Sequence, residues 1–136
     1  MEKMPEMKLL RDVAVRHLLT IDTQASLRRA AKVMTDRGVG CAVVIEDEKV
    51  AGIITERDIL RAVSDDKIMD DAKVEDVMTR EVISGSPGWD LVKAVKTMTE
   101  GGFRHLLVME MDDPVGIVSL RDLMDSMVDL VQPDSA

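Results

Sequence analysis

A chain of 136 residues with 46% hydrophobic and 32% charged residues has the make-up of an ordinary globular protein. Its net charge of −8 offers no footprint for a phosphate backbone. One tryptophan, one phenylalanine and no tyrosine leave nothing to interleave with basic side chains, so a nucleic-acid partner is excluded. Cys41 is the single cysteine, which excludes an internal disulfide and a thiolate metal cluster, and it lies in an apolar run that reads as buried core. No run approaches the roughly 18 apolar residues of a membrane span, and residues 1–9 contain no secretory h-region, so a cytoplasmic protein with no membrane partner is expected.

In chain order, residues 1–9 read as a flexible start. Leu10 to Val15 forms a helical turn and Leu18 to Ile21 an entry strand. Ser26 caps a helix whose apolar positions Leu27, Ala30, Ala31, Val33 and Met34 lie mostly one turn apart, and Arg37-Gly38 stops it. Cys41 to Ile45 and Val50 to Ile54 are β-branched runs joined by an acidic hairpin turn, and Thr55 opens a helix over Glu56 to Val63. Residues 64–73 read as an acidic linker with little to bury. The order then repeats. Asp90 caps Leu91 to Glu100, Gly101-Gly102 stops it, strands His105 to Met109 and Val115 to Val118 flank a turn at Asp112-Asp113-Pro114, and Ser119 opens the last helix. Residues 132–136 read as a flexible end.

The repetition is gap-free at an offset of 64 residues. Gly52-Ile53-Ile54-Thr55-Glu56-Arg57-Asp58 returns as Gly116-Ile117-Val118-Ser119-Leu120-Arg121-Asp122, and Leu27, Ala30, Met34, Gly38 and Val44 return as Leu91, Ala94, Met98, Gly102 and Val108. Units of about 55 residues are marginal alone, so two of them, 10–63 and 74–131, are expected to share a core and to meet in clefts related by pseudo-symmetry. Charge is uneven between them. Residues 10–63 hold nine basic and eight acidic side chains, residues 74–127 five and ten. A strand–helix–strand–strand–helix unit is α/β or α+β with a small mixed sheet packed against two helices.

The doubled Gly-Ile-Ile-Thr-x-x-Asp and Gly-Ile-Val-Ser-x-x-Asp resemble the closing motif of the cystathionine-β-synthase (CBS) domain. So do the openings Arg11-Asp12-Val13 and Glu75-Asp76-Val77-Met78-Thr79 and the segment Gly102-Phe103-Arg104-His105-Leu106-Leu107-Val108. The resemblance covers residues 10–127 and implies a tandem CBS pair, a stand-alone Bateman module that binds adenosine-containing ligands. It implies that Asp58 and Asp122 hold ribose and that Thr55 and Ser119 lie near phosphate. Ile21 with Asp22, and Gly85 with Ser86, would flank adenine, and Arg57, Arg121, Arg104 and His105 are the phosphate donors. A carboxylate three residues after a hydroxyl at a helix start suits this, since the helix start favours phosphate and guanidinium forks match its geometry. The same spacing is also that of a capping box, in which the carboxylate serves only the helix.

Two departures from the family pattern stand out. Leu107 occupies a position where proline is common, and Gly85 one where an apolar side chain would cover the base. The first repeat also has Gly40-Cys41 where the second has Arg104-His105, so the two sites are not equivalent.

No nucleophile–base pair, paired carboxylates or metal set is present, so no catalytic or metal residues are assigned and an enzyme is not expected. The reading is a regulatory module that senses AMP, ADP or ATP, with NAD and S-adenosylmethionine sharing the adenosine chemistry, and reports to a regulated protein. The alternative is an oligomerisation scaffold with empty clefts. Val74, Val77, Met78, Leu123, Met124, Met127 and Leu130 are more apolar residues than one small core should absorb, which predicts a homodimer.

Overall fold

The computed structural model describes residues 8–131, with side chains through Val128. The expectations for residues 1–7 and 132–136, and for the Leu130 side chain, lie outside the described residues. In chain order the elements are α1 (Leu10–Val13), β1 (Thr20–Asp22), α2 (Leu27–Arg37), β2 (Cys41–Glu46), β3 (Lys49–Thr55), α3 (Glu56–Ser64) and α4 (Val74–Val77). There follow β4 (Ser84–Gly85), α5 (Leu91–Gly101), β5 (His105–Glu110), β6 (Asp113–Ser119) and α6 (Leu120–Val131).

The strands form two three-stranded mixed sheets, ordered β1-β2-β3 and β4-β5-β6. In each, the short first strand runs parallel to the second and the third returns antiparallel. Both hairpins carry a register shift at the same place in the repeat, Val44/Ile45 and Val108/Met109. The helix limits follow the capping residues. Ser26 Oγ accepts from the Arg29 amide at 3.1 Å and Asp90 Oδ1 from the Lys93 amide at 2.8 Å. Gly38 and Gly102 end their helices at φ 66° and 71°, a left-handed geometry that glycine adopts without penalty.

Two local expectations are corrected. The second hairpin turns at Met111-Asp112, and Pro114 stands inside β6 opposite Met109, which an edge strand tolerates because its outer N–H positions need no partner. The stretch 64–73 is no loose linker. Its Ala72 and Met69 carbonyls accept from the Leu27 and Arg28 amides at 2.9 and 3.0 Å, and Asp70 pairs with Arg28. These bonds satisfy first-turn amides of α2 that the Ser26 cap leaves open.

The chain divides into two compact bodies, and their limits cross those of the sequence repeats. One comprises residues 18–82 and the other residues 8–17 with 83–131. Each repeat has surrendered its opening turn. Val74 and Met78 pack in the core with Ile21, Leu27, Met34, Val44 and Ile54, whereas Leu10 packs with Leu91, Met98, Leu106, Val118 and Leu123. Two glycines make this seating close. A Cβ on Gly52 would stand 2.4 Å from the Thr79 carbonyl oxygen, and one on Gly116 would stand 2.9 Å from Ala14 Cβ. Regrouped by body, residues 18–82 net −4 and residues 8–17 with 83–131 net −2, so the charge difference between the sequence repeats shrinks.

The apolar surplus expected to drive dimerisation is also smaller than the sequence implied. Val74, Met78 and Leu123 are buried in their own cores, and Val77 and Met127 pack against them. Among the described residues, the exposed large apolar side chains of the closing helices are Leu60 and Val63 on α3 and Met124 and Val128 on α6.

Leu10→Ala is expected to destabilise the protein by about 2–5 kcal/mol, the usual range for a fully buried leucine. Hydrogen exchange should quicken in β5 and β6 while β2 and β3 stay protected; the reverse pattern would contradict the exchanged opening segments.

Candidate functional site

At the start of α3, Thr55 and Asp58 form a reciprocal cap. The Asp58 amide donates to Thr55 Oγ1 at 3.2 Å, and the Thr55 amide donates to Asp58 Oδ2 at 2.9 Å. The Thr79 hydroxyl also donates to that oxygen, at 3.5 Å. Asp58 is 8% exposed, yet all three contacts leave Oδ1 untouched. The capping reading is therefore correct, and it occupies only one of the two carboxylate oxygens.

Cys41 stands opposite Thr55 in the β2–β3 register. It is buried, as its apolar run implies. Loss of solvent, and then the Asp58 charge, push its thiol up to about 12 from an ordinary 9.0. A thiol held protonated in this way is a poor nucleophile. Thr79 was missed by the sequence reading. It belongs to the opening motif of the second repeat, and nothing local reveals that the motif folds onto the first.

The start of α6 repeats the arrangement more loosely. The Asp122 amide donates to Ser119 Oγ at 3.0 Å, and the Ser119 amide reaches Asp122 Oδ2 at 3.4 Å. Asp122 is half-buried. His105 stands opposite Ser119 in the β5–β6 register, and the Arg104 carbonyl accepts from the Leu120 amide at 2.8 Å. Four of the sequence-predicted residues, Arg104, His105, Ser119 and Asp122, thus gather at one turn. The corresponding first-helix position has only the Gly40 carbonyl, accepting from the Glu56 amide at 3.0 Å. Arg57 and Arg121, on the first turns of the two helices, are exposed.

Four amides at the two helix starts are engaged: those of Glu56, Asp58, Leu120 and Asp122 donate to the Gly40 carbonyl, Thr55 Oγ1, the Arg104 carbonyl and Ser119 Oγ.

The expected adenine contacts lie on edge strands. Ile21 turns its side chain into the core, so what β1 offers is backbone on its free edge. Asp22 Oδ1 is engaged by the Gln24 amide at 2.8 Å. At the equivalent place on β4, a Cβ on Gly85 would lie 2.9 Å from Leu10 Cδ1 and 3.1 Å from Trp89 Cε3 and Leu106 Cδ2. A side chain there would enter the core and not cover a ligand, so the glycine removes nothing from the base contact. Ser86 is exposed.

A groove of about 240 Å³ beside α2, lined by Arg28, Ala31, Lys32, Thr35, Asp36 and Met69, contains none of these residues. No group of three His, Cys, Asp or Glu side chains among the described residues is placed to hold a metal ion. No helix among them is long and apolar enough to cross a membrane.

A duplicated α/β unit with a hydroxyl–carboxylate cap opening each closing helix defines the class. The CBS domain model matches residues 10–65 and again 74–129. A 17.7 kDa protein of Acidianus ambivalens is 35% identical over 120 residues, covering 87% of this chain and 72% of that one. The CBS-domain containing protein ATU1752 of Agrobacterium tumefaciens has the same fold, with a TM-score of 0.86 at 26% identity over 93% of this chain and 98% of that one. So has the CBS-domain pair of protein MJ0100, solved with 5′-methylthioadenosine and S-adenosyl-L-methionine, with a TM-score of 0.83 at 23% identity over 90% and 98% of the two chains. The chain belongs to the CBS-domain family, whose paired domains are ligand-binding regulatory modules.

The Cys41 thiol makes stability pH-dependent on the alkaline side. Its folded value is raised, so its contribution is full below about pH 9 and is lost as pH rises toward 12. The denaturation midpoint should fall across that window, and Cys41→Ala should flatten the fall whatever its effect at neutral pH. Asp58→Ala removes the carboxylate half of the reciprocal cap, leaves the Thr55 hydroxyl bond to the residue-58 amide, and should cost about 0.5–2 kcal/mol in chemical denaturation.

Proposed function

We propose that this protein senses an adenosine-containing ligand at the two hydroxyl–carboxylate turns and reports its level to a regulated protein. One observation carries the reading: at Asp58 the cap uses only one of the two carboxylate oxygens, so the other is not committed to the helix start. That oxygen can accept from ribose hydroxyls without dismantling the helix start. The edge backbone of β1 and β4 can meet the base as a strand would. Arg104, His105 and Arg121 favour a phosphate-bearing ligand at the Asp122 turn, since guanidinium forks bind phosphate in two-point fashion. The MJ0100 pair, of the same fold, holds two adenosyl compounds, which supports the adenosine class. AMP, ADP and ATP fit the arginine-bearing turn best, while NAD and S-adenosylmethionine share the ribose and base.

The protein is further read as a homodimer, on the strength of the exposed apolar pairs on α3 and α6. A CBS-CP12 protein of the same fold is hexameric, which supports a reading with self-association.

Ligand binding to the folded state should raise its stability by about 2.7 kcal/mol at a hundredfold excess over the dissociation constant. Thermal unfolding with millimolar AMP, ADP, ATP, NAD and S-adenosylmethionine in turn measures this. Asp58→Ala and Asp122→Ala should each reduce the shift more than they reduce the unliganded midpoint. No shift with any of the five would leave an oligomerisation scaffold.

A further inference from the structure

The two turns share a cap but hold it with different firmness. At the Asp58 turn the carboxylate accepts from the Thr55 amide at 2.9 Å and the residue is buried. At the Asp122 turn the matching bond is 3.4 Å long and the residue is half-buried. A difference that lies outside both helices accompanies this. The segment seated against Gly52 carries Thr79, whose hydroxyl donates to Asp58 Oδ2 at 3.5 Å. The segment seated against Gly116 carries Val15, the residue 64 positions earlier. Both openings keep the same register, since Thr79 exchanges two backbone hydrogen bonds with Ile53 and Val15 exchanges two with Ile117. At one register position, then, the Asp58 turn has a hydroxyl where the Asp122 turn has a methyl group.

We propose that Thr79 is a positioning residue for the Asp58 site, and that it makes this turn discriminate ribose from its deoxy forms more sharply than the Asp122 turn does. The inference rests on the adenosine reading and adds to it an order between the two turns. An aspartate carboxylate rotates about a broad last torsion, so a single donor leaves its two oxygens free to exchange places. A second donor on the same oxygen, arriving from a distant segment, removes that freedom. Oδ2 then stays with the cap, and the oxygen not committed to the helix start keeps one direction in which to accept from ribose hydroxyls. Freedom removed before binding is not lost on binding, and for one ordered side chain this is worth about threefold to tenfold in affinity.

The test compares AMP with its 2′,3′-dideoxy analogue by isothermal calorimetry. The two probes carry the same base and phosphate, so arginine contacts cancel in their ratio and the ribose hydroxyls remain. In an Asp122→Ala background, which confines binding to the Asp58 turn, Thr79→Val should weaken AMP by about threefold to tenfold and leave the analogue unchanged. Thr79→Ser, which keeps the hydroxyl, should restore AMP binding. Thr79 is exposed and valine already occupies the matching seat, so the variant should fold, and its unfolding midpoint checks that it does. In an Asp58→Ala background, Val15→Thr should raise the preference of the Asp122 turn for AMP over the analogue.

An AMP affinity that Thr79→Val does not move, or an equal loss for both probes, would overturn the positioning role while the adenosine reading stands. A Val15→Thr variant with no gain in preference would overturn the hydroxyl as the cause of the difference. Failure of the unmutated protein to bind AMP would overturn this inference, and thermal unfolding with the five ligands then decides the adenosine reading separately.

Discussion

Each body is closed by a backbone contact that only glycine permits. Ile53 exchanges amide and carbonyl hydrogen bonds with Thr79 at 3.0 and 2.8 Å, and Ile117 does the same with Val15 at 3.0 and 2.8 Å. Both contacts lie along the outer edges of three-stranded sheets, where unpaired N–H and C=O groups would otherwise face water or another chain. Gly52 and Gly116 stand immediately before these residues, and the space of their missing side chains is filled by the arriving segment. With that seat in place, Leu10 and Val74 reach the cores they complete, and Thr79 comes within reach of Asp58. Fill the seat with a methyl group and the segment has to lift, taking a core leucine or valine and a site hydroxyl with it.

The same carboxylate serves structure and site. A capping box settles the first-turn amides of a helix, and a carboxylate committed to it is held in one rotamer. That fixed geometry is what a binding group needs, since no side-chain entropy is then lost on meeting a ligand. The arrangement also has a chemical consequence. Four of the helix-start amides on α3 and α6 are engaged, so the side chains around each cap weigh in how a charged ligand group is met, and the two turns differ in those. One has a glycine carbonyl, a buried thiol and the Thr79 hydroxyl around it. The other has Arg104, His105 and, in place of Thr79, the half-exposed Val15. Duplication copied the fold and the cap, while substitution around the cap separated the two sites in polarity.

Much of this was legible in the residues. The elements came from periodicity and caps. Ser26, Asp90, Gly38 and Gly102 sit where a helix must start or stop, and the β-branched runs between them can only be strands. The capping carboxylates and the Arg104-His105 contrast were likewise visible at fixed offset. What failed were inferences that needed a neighbour. Pro114 read as a turn because proline usually interrupts a ladder, but β6 is an edge strand whose outer bridge to Val15 is made by Ile117 and not by Pro114. Residues 64–73 read as a linker with little to bury because they are polar and acidic, but the open amides of α2 recruit their carbonyls. Gly85 read as an opening toward a ligand, yet its missing side chain would point at Leu10 and Trp89.

By itself the sequence determined the duplicated α/β unit, its helix limits, the family and the hydroxyl–carboxylate turns, because each depends on residues within a few positions or on an exact 64-residue echo. Only the tertiary structure decided which opening segment closes which core, which apolar residues stay exposed on α3 and α6, and that Thr79 joins Asp58. Those outcomes depend on contacts between segments distant along the chain. The two openings are alike in pattern, and local propensity cannot tell a segment which of two similar seats it will occupy.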